Sequence, residues 1–430
     1  MGIKELRECV VVDAIRLPMG KSSRAQMGKY GGYYRNISSQ DMLAGILEIL
    51  VDRVQAQSSS FNPHEIEDVH VGVLTQVGDQ GANIARVAQL MAKNIPDITA
   101  AATVNRYCNA GLQAINTCAN AIRVGDGDIM IAAGVENLTH YPMGIDMQIG
   151  YMYPVDNIYC HMSETRMEDL QSRMSFIQGE SAELVAEKYD LTREDMDKFG
   201  LWSHQKATKA MRDKQNYQKR VVPFETKIEN PDGSFETKTV TEDQTVRTIA
   251  LDDPDTAWAQ IQSLPPVFRP ENGKVTAGNS SQITDGASAV MLMSRTKADE
   301  LSLKPMVRIL STALAGDDPK LMLTGPIPAQ ERALKRAGDL TMEDMDCIEP
   351  NEAFASPCLA FAKHFGYPFD DLRVNPLGGA IATGHAIGSS GVHYFGDMVH
   401  YLVNEKKIYG IQTLCGGGGV GIATVVERVS

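Results

Sequence analysis

No apolar run in this chain approaches the roughly 18 residues that a membrane span requires. The opening residues MGIKELRECV carry no apolar core of the signal-peptide kind, and Leu6 breaks the myristoylation pattern. The closing ERVS forms neither a retention nor a peroxisomal tail, so no export or organelle address is expected. Positive charge is short as well. A net charge of −13 speaks against nucleic acid or an anionic membrane as the main partner, leaving room only for a local basic patch. The seven cysteines are odd in number and lack close pairs, which points to free thiols in a reducing compartment. They also lack the CxxC spacing of a structural zinc site. What these absences leave is a cytoplasmic, enzyme-sized globular protein. Its 430 residues, 43% hydrophobic and 22% charged, suffice for a sizeable buried core.

The chain does contain a repeat. CVVVDAI (9–15) reads as a buried strand, followed by a glycine-rich loop to Gly32 and an apolar-periodic helix over 41–54. Ile66 to Val73 reads as a strand with Asp68 and His70 pointing outward, and another apolar stretch ends at Val104. Behind Gly111, Leu112, Ile115, Ala119 and Ile122 recur at helical spacing until Gly125 stops the helix, and DIMIAAG (128–134) is the next buried strand. The second half follows the same plan, with strands in PMVRIL (305–310) and MDCIEP (345–350) and then VNPLGG (374–379) leading to Gly391. Behind Gly391, Val392, Phe395, Val399 and Leu402 stand at the offsets seen behind Gly111, and a Val-Asn pair precedes each turn. Such agreement in order indicates an internal duplication. The expected division is 1–295 and 296–430, with a loop region of about 139–275 inserted in the first half. That region is rich in charge and Met, with helices expected near 181–190 and 195–212. Thr192 to Asp195 resembles a capping box, and NPDGS (230–234) a hairpin turn.

The chemistry-bearing residues fall at the joints of this plan. Cys108 in NRYCNAGLQA lies just before a helix, where unpaired N–H groups and the dipole are expected to lower a thiol pKa. A cysteine is more often a small core residue, and Cys118, inside the same helix, fits that description. NEAF (351–354) follows a strand directly, where an α/β sheet usually places its site. GGAIATGHAIGSSG (378–391) sets five glycines around His385, a candidate base. LCGGGGVG (414–421) puts Cys415 after a buried strand, with backbone N–H groups free for a developing oxyanion.

These four blocks, with KVTAGNSSQITDGASAV (274–290), closely resemble the signature blocks of the thiolase family, in the family's order and across nearly the whole chain. The resemblance implies a five-layer αβαβα sandwich of two similar halves. It also implies reversible CoA-dependent cleavage of 3-ketoacyl-CoA, or the reverse condensation, as in fatty-acid β-oxidation. By the same resemblance Cys108 is the acylated nucleophile, and His385 takes its proton. His385 and a water held by Asn351 stabilise the substrate thioester oxygen. Cys415 moves the α-proton of acetyl-CoA, and the N–H groups of Cys108 and Gly417 form a second oxyanion hole. Ser281 and Arg247 match positions that contact CoA, Arg247 by the weaker alignment. CoA enters as a substrate, no metal or other cofactor is implied, and a homodimer or homotetramer is expected.

The chain departs from the pattern at several places. Ala386 stands where Pro is common after the histidine, leaving a less rigid loop, and Asn109 stands where a small residue is common. Residues 152–176 match poorly, which leaves acyl-length preference open. NEAF in place of HEAF speaks against a β subunit of a trifunctional complex. Met143, Met147, Met152, Met162, Met167 and Met174 either adapt to acyl chains or fill core. The basic run from His204 to Arg220 either steers a phosphate-bearing ligand or is a solvated face. Rival readings are a cysteine hydrolase, which leaves Cys415 unexplained, and a ketoacyl synthase of the same fold, which usually has histidine in place of Asn351. A hydroxymethylglutaryl-CoA synthase would use a glutamate, for which Glu352 is adjacent, and an inactive acyl-CoA-binding protein would not need all four side chains.

Overall fold

The computed structural model describes residues 6–22, 31–148, 163–230 and 232–429. Its strands are β1 (Cys9–Arg16), β2 (Gly20–Lys21), β3 (Asp68–Gly72), β4 (Ala100–Val104), β5 (Ile129–Glu136), β6 (Phe224–Glu229) and β7 (Phe235–Val240). They continue with β8 (Thr284–Ser294), β9 (Val307–Gly316), β10 (Cys347–Pro350), β11 (Tyr409–Gly416) and β12 (Val420–Arg428). The pair β6–β7 stands apart as a hairpin, and the others share one sheet in the order β10-β11-β12-β9-β1-β8-β5-β3-β4, with β2 attached to β8.

The duplication is visible in that order. From β1 outward the first half runs β1-β8-β5-β3-β4, and from β9 outward the second runs β9-β12-β11-β10. In each half the first strand lies beside the last, then come the fourth and the second. The third strand of the second half is reduced to one bridge from Val374 to Ile348. β1 and β9 join the halves antiparallel, pairing Val10 with Arg308 and Val11 with Val307.

Strand periodicity sorts the side chains into layers. On β1, Val10 and Val12 face one cluster containing Met42, Leu43, Ile46 and Leu50 of the helix Ser39–Gln57. Cys9, Val11 and Ala14 face a second cluster, shared with Leu112, Ile115, Val392 and Phe395. Ile129 and Ile131 of β5 likewise point one way, and Met130 and Ala132 the other. In the second half Ala423 and Val425 of β12 meet Leu359 and Ala333 of outer helices, while Ile422 and Val426 turn to the shared middle layer. The result is helix, sheet, helix, sheet, helix. It is the expected sandwich.

The middle layer consists of the helices Ala110–Val124 and Ile387–Asn404. Gly125, at φ +85°, caps the first in the left-handed conformation that suits glycine. The second starts at Ile387, four residues before the expected Gly391. Gly391 is there for contact: a β-carbon on it would lie 2.1 Å from the backbone nitrogen of Leu112. The free end of this helix is satisfied from the other half, where the buried carboxylate of Glu136 accepts from Gly388 N–H at 2.9 Å.

The inserted region contributes the helices Gln178–Lys188 and Arg193–Arg212, with the Thr192–Asp195 capping box formed as expected. The hairpin turn carries Gly233 at φ +80°; Pro231 lies outside the described residues. Buried ion pairs fasten this region to both halves. Arg16 of β1 meets Asp243 at 2.6 Å, and Arg220 meets Asp397 of the second middle helix at 2.9 Å. Burial opposes ionisation of Asp397, yet Arg220 and Arg16 hold its carboxyl well below the usual carboxylate range. Removing one partner of such a buried pair costs about 3–5 kcal/mol.

Candidate active site

Cys108 occupies a tight turn between β4 and the first middle helix. Asn105 accepts from the Tyr107 N–H at 3.0 Å, and Tyr107 adopts φ +52°, a left-handed conformation uncommon for a bulky residue. The thiol is 4% exposed among Leu138 and Ile387, with the Gln178 side chain hydrogen-bonded to it. Here the expectation of a lowered thiol pKa fails. Burial pushes the thiol up to about 12, and Glu136 adds to the rise; its own N–H and Gln178 offset only part. Desolvation outweighs the helix end, so Cys108 rests as a thiol and needs a base.

His385 is the candidate for that base. Its Nδ1 lies 2.7 Å from the Ser390 hydroxyl, which itself donates to the Ala386 carbonyl at 3.0 Å. The hydroxyl has one proton, so Nδ1–H must donate to it, leaving Nε2 with a free lone pair. Nε2 is buried without a partner among the described residues. Burial, then the neighbouring His393, lower this imidazole to about 4. The loop is firm despite Ala386: Tyr394 donates to the Gly384 carbonyl at 2.6 Å, and His385 N–H donates to Gln282 at 2.8 Å. Gly384, at φ +103°, passes so close to Thr284 that a β-carbon would lie 2.1 Å from its methyl. A pH consequence follows. The base is neutral down to about pH 4, so kcat/KM for acylation should keep its acid limb near 4 to 5. A limb at the ordinary histidine value, in stopped-flow acylation from pH 4 to 8, would contradict this assignment.

Asn351 follows β10, and its N–H donates to the Thr413 carbonyl at 2.9 Å, which ties it to β11, the strand that carries Cys415. Both side-chain polar atoms are buried with no partner among the described residues, which leaves them free for a bound oxygen. The adjacent Glu352 is different. It accepts from Ser203 at 2.6 Å, Asn375 at 2.7 Å and Ile381 N–H at 3.1 Å, so its carboxyl braces the loop and offers nothing to a substrate.

Cys415 is the last residue but one of β11 and is buried. Burial, and then the nearby Cys108, push its thiol well above the ordinary range. Beyond it, Gly418 and Gly419 take φ +74° and +81°, and a β-carbon on Gly417 would meet the Tyr107 ring at 3.2 Å. The glycine run thus folds back over the turn that holds Cys108.

A cleft opens on His385, lined also by Gln178, Ser281, Gln282 and Ile283. A second cleft, lined by His204, Arg247, Ile249 and Leu264, also contains Gln282. Arg247 therefore lines a cleft that shares Gln282 with the one at His385. Among the described residues no cluster of three or more His, Cys, Asp or Glu could hold a metal ion, and no helix is long and apolar enough to cross a membrane.

Comparison with known proteins decides the family. The thiolase N-terminal domain matches residues 9–296 and the thiolase C-terminal domain residues 303–428. The chain belongs to the thiolase family. It is 40% identical over 428 residues to a 3-ketoacyl-CoA thiolase of Idiomarina loihiensis, covering 99% of this chain and 100% of that one. It is 39% identical to a 3-ketoacyl-CoA thiolase of Marinobacter nauticus, covering 98% and 99%. Among solved structures it resembles the acetyl-CoA acetyltransferase of Bacillus anthracis (TM-score 0.81, 31% identity, 99% and 100% covered). It also resembles human mitochondrial 3-ketoacyl-CoA thiolase (TM-score 0.80, 31% identity, 98% and 99% covered).

Sequence reading missed several residues of this thiolase. Ser390 fixes the His385 tautomer and was hidden in a glycine and serine loop. Glu136 was legible only as an acid directly after a buried strand; it accepts from Leu74 and Thr75 N–H at 2.9 and 3.0 Å. Gln178 carried no signal. The basic run proves to be mostly paired: Arg220 is buried with Asp397, Lys206 donates to the Val374 carbonyl at 2.7 Å, and Arg212 meets Asp252 at 2.7 Å. That leaves little of it for steering phosphate. In the Met-rich segment Met152 and Met162 lie outside the described residues, Met143 lines the cleft, and Met174 approaches Gly418.

Proposed function

We propose that this thiolase cleaves 3-ketoacyl-CoA with free CoA, and runs the reverse condensation, through an acyl group on Cys108. His385 Nε2 takes the Cys108 proton, and the sulfur attacks the keto carbon. The carbon–carbon bond breaks, and Cys415 protonates the departing acetyl-CoA enolate. Free CoA then gives its thiol proton to the Cys415 thiolate, its sulfur takes the acyl group, and the departing Cys108 thiolate recovers its proton from His385. The observation that carries this reading is the proton-free Nε2 of His385, a residue that lines a cleft whose walls Leu138 and Ile387 also pack on Cys108. A base placed in this way contributes roughly 10²–10⁴-fold, and a preorganised oxyanion site roughly 10²–10³-fold. Asn351 would hold its oxygen through water, and the N–H groups of Cys108 and Gly417 would receive the enolate oxygen.

The adjoining clefts support CoA running from Arg247 past Gln282 and Ser281 to His385. A homodimer or dimer of dimers is proposed because β4, at the end of the sheet, leaves one edge without a partner strand among the described residues. A cytoplasmic location agrees with the buried free cysteines. The division at about 295, with 139–275 as a loop domain, agrees with the strand order. The names of the bacterial relatives favour the degradative direction, as in fatty-acid β-oxidation.

A substrate panel tests the reading: acetoacetyl-CoA, 3-ketohexanoyl-CoA and 3-ketohexadecanoyl-CoA, each with and without free CoA. Loss of the ketoacyl thioester should require CoA, with ping-pong kinetics. Loss without CoA would make the protein a hydrolase, and no loss at any length would remove the proposal.

A further inference from the structure

Asn109 follows the nucleophile and is completely buried. It occupies the N-cap position of the first middle helix, a place where an asparagine side chain usually accepts from the helix N–H groups. This one makes no such bond. Its amide faces the end of β11 instead. With the nitrogen toward that strand, it donates to the carbonyls of Leu414 and Cys415, both at 3.0 Å. The opposite orientation would set oxygen against both of those carbonyls and gain only a 3.4 Å contact with the Val420 carbonyl, so the first is adopted. Gly416 completes the fit, since a β-carbon there would lie 3.0 Å from the Asn109 side-chain amide.

One side chain thus spans the two cysteine-bearing elements. We propose that Asn109 is a positioning residue that sets where Cys415 stands relative to Cys108, and so governs α-proton transfer more than acylation. The proposal rests on the roles given above to the two cysteines. Acylation needs Cys108 and His385, whose loop is held by Gln282, Tyr394 and Ser390, none of them bonded to Asn109. Proton transfer needs the Cys415 sulfur aligned with the α-carbon of a thioester. A misplacement of about 1 Å at such a centre costs roughly 10²-fold.

The test compares Asn109→Ala and Asn109→Asp with the unaltered enzyme. Two rates are followed: acetylation of the protein by acetyl-CoA, read by intact mass, and deuterium wash-in at the acetyl-CoA α-carbon. Exchange should fall about 10- to 100-fold in both variants, and the ratio of exchange to acetylation at least about 10-fold. The Asp variant, with a carboxylate against two carbonyls, should be the worse. A capping role predicts the reverse order, because Asp caps a helix better than Ala. Equal loss of both rates, an unchanged ratio, or Asp outperforming Ala would each overturn the proposal. If the Asp protein is insoluble, the ratio in the Ala protein decides. Failure of the unaltered enzyme to acetylate Cys108 would strike the underlying roles instead, and the proposal with them.

Discussion

Cys108→Ser should lose transferase activity by about 10⁴-fold or more and leave no acyl-enzyme, while folding normally. The side chains are nearly the same size, and the site is closed around Leu138 and Ile387, so packing changes little. The chemistry changes greatly. Burial already pushes the thiol up to about 12, and an alcohol starts far higher still. His385, lowered to about 4, is a weak base that can share a thiol proton with an incoming electrophile but cannot ionise a buried hydroxyl. Intact-mass measurement after mixing with acetyl-CoA should show no adduct. A serine ester forming at a comparable rate would mean that His385 is not the limiting base.

Cys415→Ser should separate the two halves of the reaction. Acetylation of Cys108 does not remove an α-proton, so it should persist within about threefold. Exchange of α-protons and condensation should both fall by about 10³-fold, in the range of general-base catalysis. The Asn109 amide, next to Cys108, donates to the Cys415 carbonyl, yet the surroundings of the two thiols differ. Cys108 lies beside Gln178 and the first middle helix, whereas Cys415 closes a strand under a glycine run. A Cys415→Ser protein that condenses at full rate would remove that division.

Much of this was legible in the chain itself. Equal offsets behind Gly111 and Gly391 pointed to two helices with matching apolar faces, and those helices form the middle layer. The four blocks with chemistry stand at strand or helix ends, because a parallel strand delivers its last residue to the edge of the sheet. Other features depend on tertiary contact. Gly391 lies inside its helix because the helix end is capped by Glu136, 252 residues away in the chain. The sign of the Cys108 shift was misread because a dipole is visible in sequence and desolvation is not. Lys206 and Arg220 read as surface charge until their partners Val374 and Asp397 came from distant segments. Asn109 read as a departure from a family pattern, and only the nearby strand end gives it a task.

That the two cysteines do different work, Cys108 carrying the acyl group and Cys415 moving a proton, is tested most directly by the location of the acyl group. The unaltered enzyme is mixed with acetyl-CoA, quenched in acid, digested and mapped by mass spectrometry. The account predicts the acetyl group on the peptide containing Cys108, with Cys415 unmodified. An acetyl group on Cys415, with Cys108 free, would contradict it.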